Sequence, residues 1–401
     1  TPNASHDIAL DLETADQWYD NRKNQLGTVG HLGGYGHSQK YARERAVLSH
    51  GWRMGHGTLE SSLTRTESET VGRLLPGRMN GGSTTTNWVP RVLESEDTIF
   101  DTKWVGAFGN HVLTVGGQYW DASITDGLRK QPSEFTQVSV FAENEWRMRD
   151  NLALTLGVRR DDHDTFGGYT TPRGYLVWNA TDNWTFKGGV SKGYKVPRLE
   201  QLTSGIVNVG GQGRSPSIGN PDLKPETSIN KELAFVYDNR KGFTGGVTLF
   251  ESDIKDKIAS GTRIMLPGSV GTATCTSDNQ TNGTPRPTGG NQAECEAFMA
   301  SIGTPWTMQN GDTFTLTPQI NLDEVQIRGA EAFVRIRFAQ KWLASLNYTH
   351  TDSEIKSGAA PGAQFADTPD HMANARLAYD VTPKLSLWAS GEYRSERLRA
   401  D

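Results

Sequence analysis

The chain has 401 residues, with 41 Lys and Arg against 46 Asp and Glu, for a formal net charge of −5. That balance gives no basic footprint for nucleic acid, and no run reaches the ~18 apolar residues of a transmembrane helix. Hydrophobic residues make up 35% and glycine fills 44 positions, too few apolar runs for a large α/β enzyme but compatible with a membrane β-barrel, whose strands need an apolar residue only at every second position.

Period two dominates from one end to the other. Leu152, Leu154, Leu156 and Val158 alternate with Ala153, Thr155, Gly157 and Arg159. The same rhythm recurs at Val334, Ile336 and Phe338 against Arg335 and Arg337, at Ala344, Leu346 and Tyr348, at Ala373, Ala375, Leu377 and Tyr379, and at Leu385, Leu387 and Ala389. A helix would scatter these apolar residues around its circumference and bury the charges, so the stretches read as strands. In chain order the strands fall at about 5–18, 40–53, 58–69, 92–107, 111–124, 134–148, 151–163, 170–181, 184–194, 226–238, 243–258, 319–338, 341–354, 368–381 and 383–396. Short turns at 54–58, 108–111, 148–151, 180–184, 238–242, 339–341 and 381–384 carry turn chemistry such as Gly-Asn and Thr-Pro-Lys. Longer connections at about 19–39, 70–91, 125–133, 164–170, 195–225, 259–319 and 355–367 separate them. Strict alternation of short and long connections is the mark of an up-and-down transmembrane barrel with short periplasmic turns and long external loops; a soluble sandwich would have shorter strands. Aromatic residues near strand ends suit the two interfacial girdles: Trp18, Tyr19, Trp52, Trp104, Tyr119, Trp120, Trp146, Trp178, Trp184, Tyr237, Trp342, Tyr348, Tyr379 and Tyr393. Fifteen strands is an odd number, and single-chain bacterial barrels have even counts.

Several strand–loop junctions carry a family likeness. Gly193-Tyr194-Lys195-Val196-Pro197-Arg198-Leu199, Gly219-Asn220-Pro221-Asp222-Leu223-Lys224-Pro225-Glu226-Thr227, the Arg328-Gly329-Ala330-Glu331 core of Val325–Glu331, and Asp367-Thr368-Pro369-Asp370-His371-Met372-Ala373-Asn374 occur in order. Together they resemble TonB-dependent outer-membrane receptors, and the last resembles the branch that takes up catecholate siderophores, the ferric-enterobactin receptors. The resemblance spans residues 1–401 as barrel only. It implies an all-β, transmembrane antiparallel β-barrel of twenty-two strands around an N-terminal plug, with about fifteen strands present, about four expected before residue 5 and about three after residue 396. It further implies an outer-membrane location, binding of a ferric siderophore of catecholate type as cargo with no cofactor, energy from a TonB–ExbB–ExbD complex acting through the plug, contact with lipid and lipopolysaccharide, a monomeric state, and exploitation of the external loops by colicins or phages. Inward polar residues such as Arg159, Glu232, Glu331, Arg335 and Arg337 are expected to hold the plug. Pro197, Asn220, Pro221 and Pro225 read as architectural, because proline fixes φ and removes a donor while Asn-Pro-Asp offers an Asx turn.

A ferric catecholate complex is anionic, bulky and aromatic, so its receptor needs cations and aromatic faces on external loops. The best candidates are Arg73, Arg78, Trp88, Tyr194, Arg198 and Arg214, although lipopolysaccharide phosphates or plain solubility also account for loop cations. Cys275 and Cys295, the only cysteines, share the longest loop and are expected to form a disulfide in an oxidising compartment; the alternative, metal or redox chemistry, lacks a CxxC or nearby His. Haem receptors of this family place a His between the two Pro-containing stretches, and residues 198–219 contain none, so haem and cobalamin are secondary cargoes. A passive porin-like channel remains a further alternative. No metal site is expected. The one dense acid/His cluster, Asp161, Asp162, His163 and Asp164, reads as a strand cap leading into a loop rather than a catalytic group, so no catalytic residue is assigned.

Overall fold

The structure, a computed structural model, describes residues 5–20, 35–75, 89–128, 132–203, 205–210, 215–260, 264–267, 297, 300, 313–357, 361–365 and 367–398. Eighteen strands form one sheet. In chain order they are β1 (His6–Asp20), β2 (Tyr35–Met54), β3 (Gly57–Leu75), β4 (Val89–Phe108), β5 (His111–Asp126), β6 (Ser133–Arg149), β7 (Leu152–His163), β8 (Gly167–Asn179), β9 (Trp184–Lys195), β10 (Ile206–Gly210), β11 (Ser215–Ile218), β12 (Glu226–Asp238), β13 (Phe243–Ser260), β14 (Ile264–Pro267), β15 (Thr313–Phe338), β16 (Trp342–Ser357), β17 (His371–Thr382) and β18 (Leu385–Arg394). β10, β11 and β14 have five, four and four residues, and the other fifteen are the long strands that the alternation predicts. Each long strand pairs antiparallel with its sequence neighbours, β9 pairing β12 and β13 pairing β15 across the short insertions. Among the described residues β1 pairs only β2 and β18 only β17, and lipid tolerates no open sheet edge.

The two faces are inverted relative to a soluble sheet. On β6, Val138 and Val140 are 50% and 58% exposed, whereas Gln137 and Ser139, which alternate with them, are 7% and 2% exposed. Register carries the same parity around the sheet: Val140 lies opposite Arg160 and Gly117, Leu346 opposite Val334 and Ala375. One face is therefore mainly apolar, for lipid, with Arg160 and Asp162 on it towards the long-loop end, and the other is a polar lumen wall. Arg159, Glu232, Glu331, Arg335 and Arg337 all fall on the lumen parity. Of the aromatics expected in the girdles, Tyr19 and Trp120 do not: their positions fall on the lumen parity, and Trp120 Nε1 donates to Asp97 (2.9 Å). Strand ends attract aromatics to both faces, so position along the chain could not separate them.

The connection at 195–225 is built rather than irregular. β10 and β11 form a hairpin, and β11 pairs parallel with the upper end of β15 at Ser217–Thr317 and Ile218–Pro318. β15 accordingly begins at Thr313, six residues before the alternation predicts, with β14 on the extension's other edge. Buried apolar side chains mark this end: Ile206, Ile218 and Val325 are fully buried, and Leu223 and Ile320 nearly so. The β11–β15 pairs join segments ~100 residues apart, which local periodicity does not encode.

Candidate ligand-binding mouth

At the long-loop end, the two Pro-containing stretches are tied to each other and to β15. After β9, Pro197 ends the strand and Leu199–Leu202 makes a short 3-10 turn, with Arg198 N donating to Gln201 Oε1 (2.9 Å). Gln201 Nε2 donates to Gln319 Oε1 (3.0 Å), and Asn220 N donates to the Gln201 carbonyl (2.6 Å). Asn220, 5% exposed, forms the expected Asx turn by accepting from Asp222 N (2.9 Å), while its Nδ2 donates to the Gln319 carbonyl (3.2 Å). Asn321 accepts from Lys224 N (2.9 Å) and donates back to the Lys224 carbonyl (3.0 Å). The stretch ends at the buried Glu226, whose carboxylate receives Lys257 Nζ (3.1 Å to each oxygen), Lys195 Nζ (3.5 Å) and Ile258 N (3.0 Å). These residues clamp the mouth, which is the architectural role read from them. Gly329 in the Arg-Gly-Ala-Glu core is likewise a clearance residue: a Cβ there would lie 2.1 Å from the His350 carbonyl oxygen.

The clamp frames two adjoining cavities of about 730 Å³ and 540 Å³, which share Ile124, Arg198 and Glu200. The larger is walled by Trp120, Phe135, Gln137, Arg159, Asp161 and Tyr194. Its polar side is one network. Arg159 donates to Asp161 (Nε, 2.7 Å) and Gln118 (3.0 Å), Ser139 donates to Asp161 (2.6 Å), and Tyr194 OH donates to Gln137 Oε1 (3.1 Å). Tyr194 stacks flat on Tyr169 with ring centroids 4.8 Å apart, and Trp120 meets Phe135 edge-on at 4.8 Å. The smaller cavity holds Arg73, Arg91, Asp126 and Arg198. Arg91 grips the buried Asp126 through two bonds, Nε–Oδ1 2.7 Å and Nη2–Oδ2 2.5 Å, and Arg198 pairs with Glu200 at 3.1 Å.

Three of the candidate residues thus converge: Tyr194 on the larger cavity, Arg73 on the smaller and Arg198 on both. Arg78, Trp88, Arg214, Cys275 and Cys295 lie outside the described residues. Gln118, Trp120, Gln137 and Asp161 are site-lining residues missed by a search confined to loops; their signal was the polar parity of their strands. The acid/His cluster is corrected too. Asp161 is 2% exposed inside β7 and anchors the lumen network, and His163, 3% exposed, stacks on Phe135 at 4.9 Å and accepts from Thr165 N through Nδ1 (3.2 Å). Only Asp164 acts at the strand end, accepting from Thr136 N at 2.7 Å. Among the described residues no group of three or more His, Cys, Asp or Glu is arranged to hold a metal ion.

Residues 2–401 match the family model described as TonB dependent receptor-like, beta-barrel. The iron-regulated outer membrane virulence protein of Vibrio cholerae serotype O1 is 33% identical over 316 residues, 78% of this chain and 42% of that protein. The ferric enterobactin receptor of Pseudomonas aeruginosa is 37% identical over 271 residues, 65% of this chain and 31% of its own length. Among solved structures, the siderophore receptor PirA from Acinetobacter baumannii shares the fold at a TM-score of 0.67 and 22% identity, covering 100% of this chain and 58% of that one. A ferric enterobactin receptor structure from Pseudomonas aeruginosa gives 0.70 at 21% identity, covering 98% and 55%. The chain spans about two fifths of the length of the first curated relatives it matches.

Proposed function

Because this chain belongs to the TonB-dependent receptor-like β-barrel family of the bacterial outer membrane, we propose that it forms the wall and mouth of a receptor that binds a ferric siderophore of catecholate type and passes it inward with energy delivered by TonB. The observation that carries this reading is the pair of adjoining mouth cavities, with Tyr194, stacked on Tyr169, lining the larger, Arg73 the smaller and Arg198 both. A tris-catecholate iron complex presents negative charge and flat aromatic edges. Guanidinium groups meet the charge and tyrosine or tryptophan faces meet the rings. Among the described residues the Arg198 guanidinium pairs with Glu200 and is itself 69% exposed; such a surface pair is weak, so Arg198 can turn to an anionic ligand at little cost. The deeper network of Arg159, Asp161 and Gln137 is fixed and serves as scaffold. The lumen residues Glu232, Glu331, Arg335 and Arg337 supply charges against which a plug would seat, and its displacement by TonB is the energy-using step.

The test is titration of the complete receptor with ferric enterobactin, ferrichrome, haem and cobalamin, followed by tryptophan quenching. Submicromolar quenching by ferric enterobactin alone is expected, with tenfold or greater weakening in an Arg73→Ala/Arg198→Ala double variant. Quenching by haem or cobalamin alone would overturn the catecholate assignment.

A further inference from the structure

At the short-turn end, the lipid-facing wall is not a smooth ridge of side chains. Cross-strand register puts Tyr237 of β12, Gly245 of β13 and Val334 of β15 in one row, and Phe235, Val247 and Ala332 in the next. Each row runs from a large aromatic to smaller residues, which leaves a valley along the lower end of β13. The aromatic bank is rigid: Trp184 lies 4.9 Å from Tyr237, Trp178 lies 5.5 Å from Phe186, and Phe186 meets Phe235 edge-on at 5.5 Å. The opposite bank is Val334, and the floor is Gly245 and Ala332. The groove measures about 1040 Å³ and is open along the membrane face. A saturated hydrocarbon chain is the shape and chemistry that fills such a slot; lipid tails are as apolar as the groove, so a preference for one lipid has to come from van der Waals fit and from headgroup contacts.

The groove ends at two turns that are fastened together. Asn183 Nδ2 donates to the Asp238 carbonyl (2.6 Å), Asp238 N to the Asn183 carbonyl (2.9 Å), and Arg240 Nε to the Asp182 carbonyl (2.9 Å). Asn239 locks the second turn by accepting from Lys241 N (2.7 Å) and Phe243 N (2.9 Å). Arg240, at φ 53°, and the exposed Lys241 are consecutive in the turn between Tyr237 and Phe243, both of which line the groove. The acids of the same two turns are Asp238, whose Oδ1 is already taken by Arg240 N (2.6 Å), and Asp182, whose side chain is exposed. Two cations next to one available carboxylate complement a headgroup that carries a phosphate and a cationic amine.

We propose that this groove is a specific binding site for a zwitterionic aminophospholipid, with one acyl chain along β13, the phosphate at Arg240 and Lys241, and the primary ammonium at Asp182. The site faces the opposite side of the wall from the siderophore mouth and does not depend on that reading. The test uses the complete receptor, purified from outer membranes, stripped of lipid in detergent and re-dosed with phosphatidylethanolamine, phosphatidylglycerol or phosphatidylcholine of matched chains, with native mass spectrometry as readout. One phosphatidylethanolamine retained at least fivefold over the other two is expected. Asp182→Asn should abolish the preference over phosphatidylglycerol, and Lys241→Gln should weaken retention of phosphatidylethanolamine, because every lipid offered carries the phosphate that this lysine meets. Ala332→Phe, which fills the valley, should remove retention altogether. Should Ala332→Phe not fold, the two turn variants are at exposed positions and decide alone. Equal retention of all three lipids by the unaltered receptor overturns the proposal, as does phosphatidylethanolamine retention that none of the variants changes.

Discussion

Replacing Glu226 by alanine removes a carboxylate that three donors share where β9, β12 and β13 meet the mouth. The Glu226 and Lys257 side chains are 9% and 20% exposed, so this pair is largely withdrawn from water. Deleting one partner of a buried pair costs about 3–5 kcal/mol. Lys257 recovers part of its hydration, and Lys195, 63% exposed, contributes little because surface pairs are weak. The backbone N–H of Ile258 loses its acceptor, a loss of about 1–3 kcal/mol on its own. The net local cost is about 2–4 kcal/mol, which corresponds to roughly 30- to 900-fold faster opening. Hydrogen exchange of the folded receptor, read by mass spectrometry on peptides covering Ile258 and the start of β12, measures this directly. Glu226→Gln keeps an acceptor for Ile258 and should show a smaller acceleration. Exchange at Ile258 within threefold of wild type in Glu226→Ala would refute the claim that this carboxylate clamps the mouth.

Other perturbations separate the remaining contacts. Leu249→Arg puts a charge on the lipid wall between Leu233 and Ala330 and should destabilise the barrel by about 2–4 kcal/mol in bilayer-based unfolding, whereas Leu249→Met should be neutral; a neutral Leu249→Arg would reverse the assignment of faces. Gly329→Val should block pairing of β15 with β16, because its Cβ would meet the His350 carbonyl, and the readout is loss of the heat-modifiable folded band in gels. Tyr194→Phe removes the bond to Gln137 but keeps the stack on Tyr169, so ligand affinity should fall less than threefold, while Tyr194→Ala should weaken it tenfold or more. Lys231, Glu251, Arg328 and Asp352 occupy one cross-strand row of alternating charge; their side chains are largely exposed, so Arg328→Gln should leave the unfolding midpoint almost unchanged at low salt and wholly unchanged in high salt.

The sequence alone determined the fifteen long strands, the alternation of short and long connections and the two faces. Each of these is written in nearest-neighbour periodicity: a strand's side chains alternate whatever lies beside it, so Leu152–Val158 and Val334–Phe338 declare their faces without reference to the rest of the chain. Proline and Asn-Pro-Asp placed the breaks at Pro197 and Pro221 for the same local reason. Only the tertiary structure decided what stands next to what. Arg73 and Arg198 border one cavity although 125 positions separate them in the chain, and Trp120 faces the lumen beside Asp97 although its position suited the girdle. The parallel contact of β11 with β15, the buried Asp161 network and the valley along β13 arise from register between strands. Register is set by turn lengths and by the summed pairing of whole strands, and so it cannot be read from any one segment.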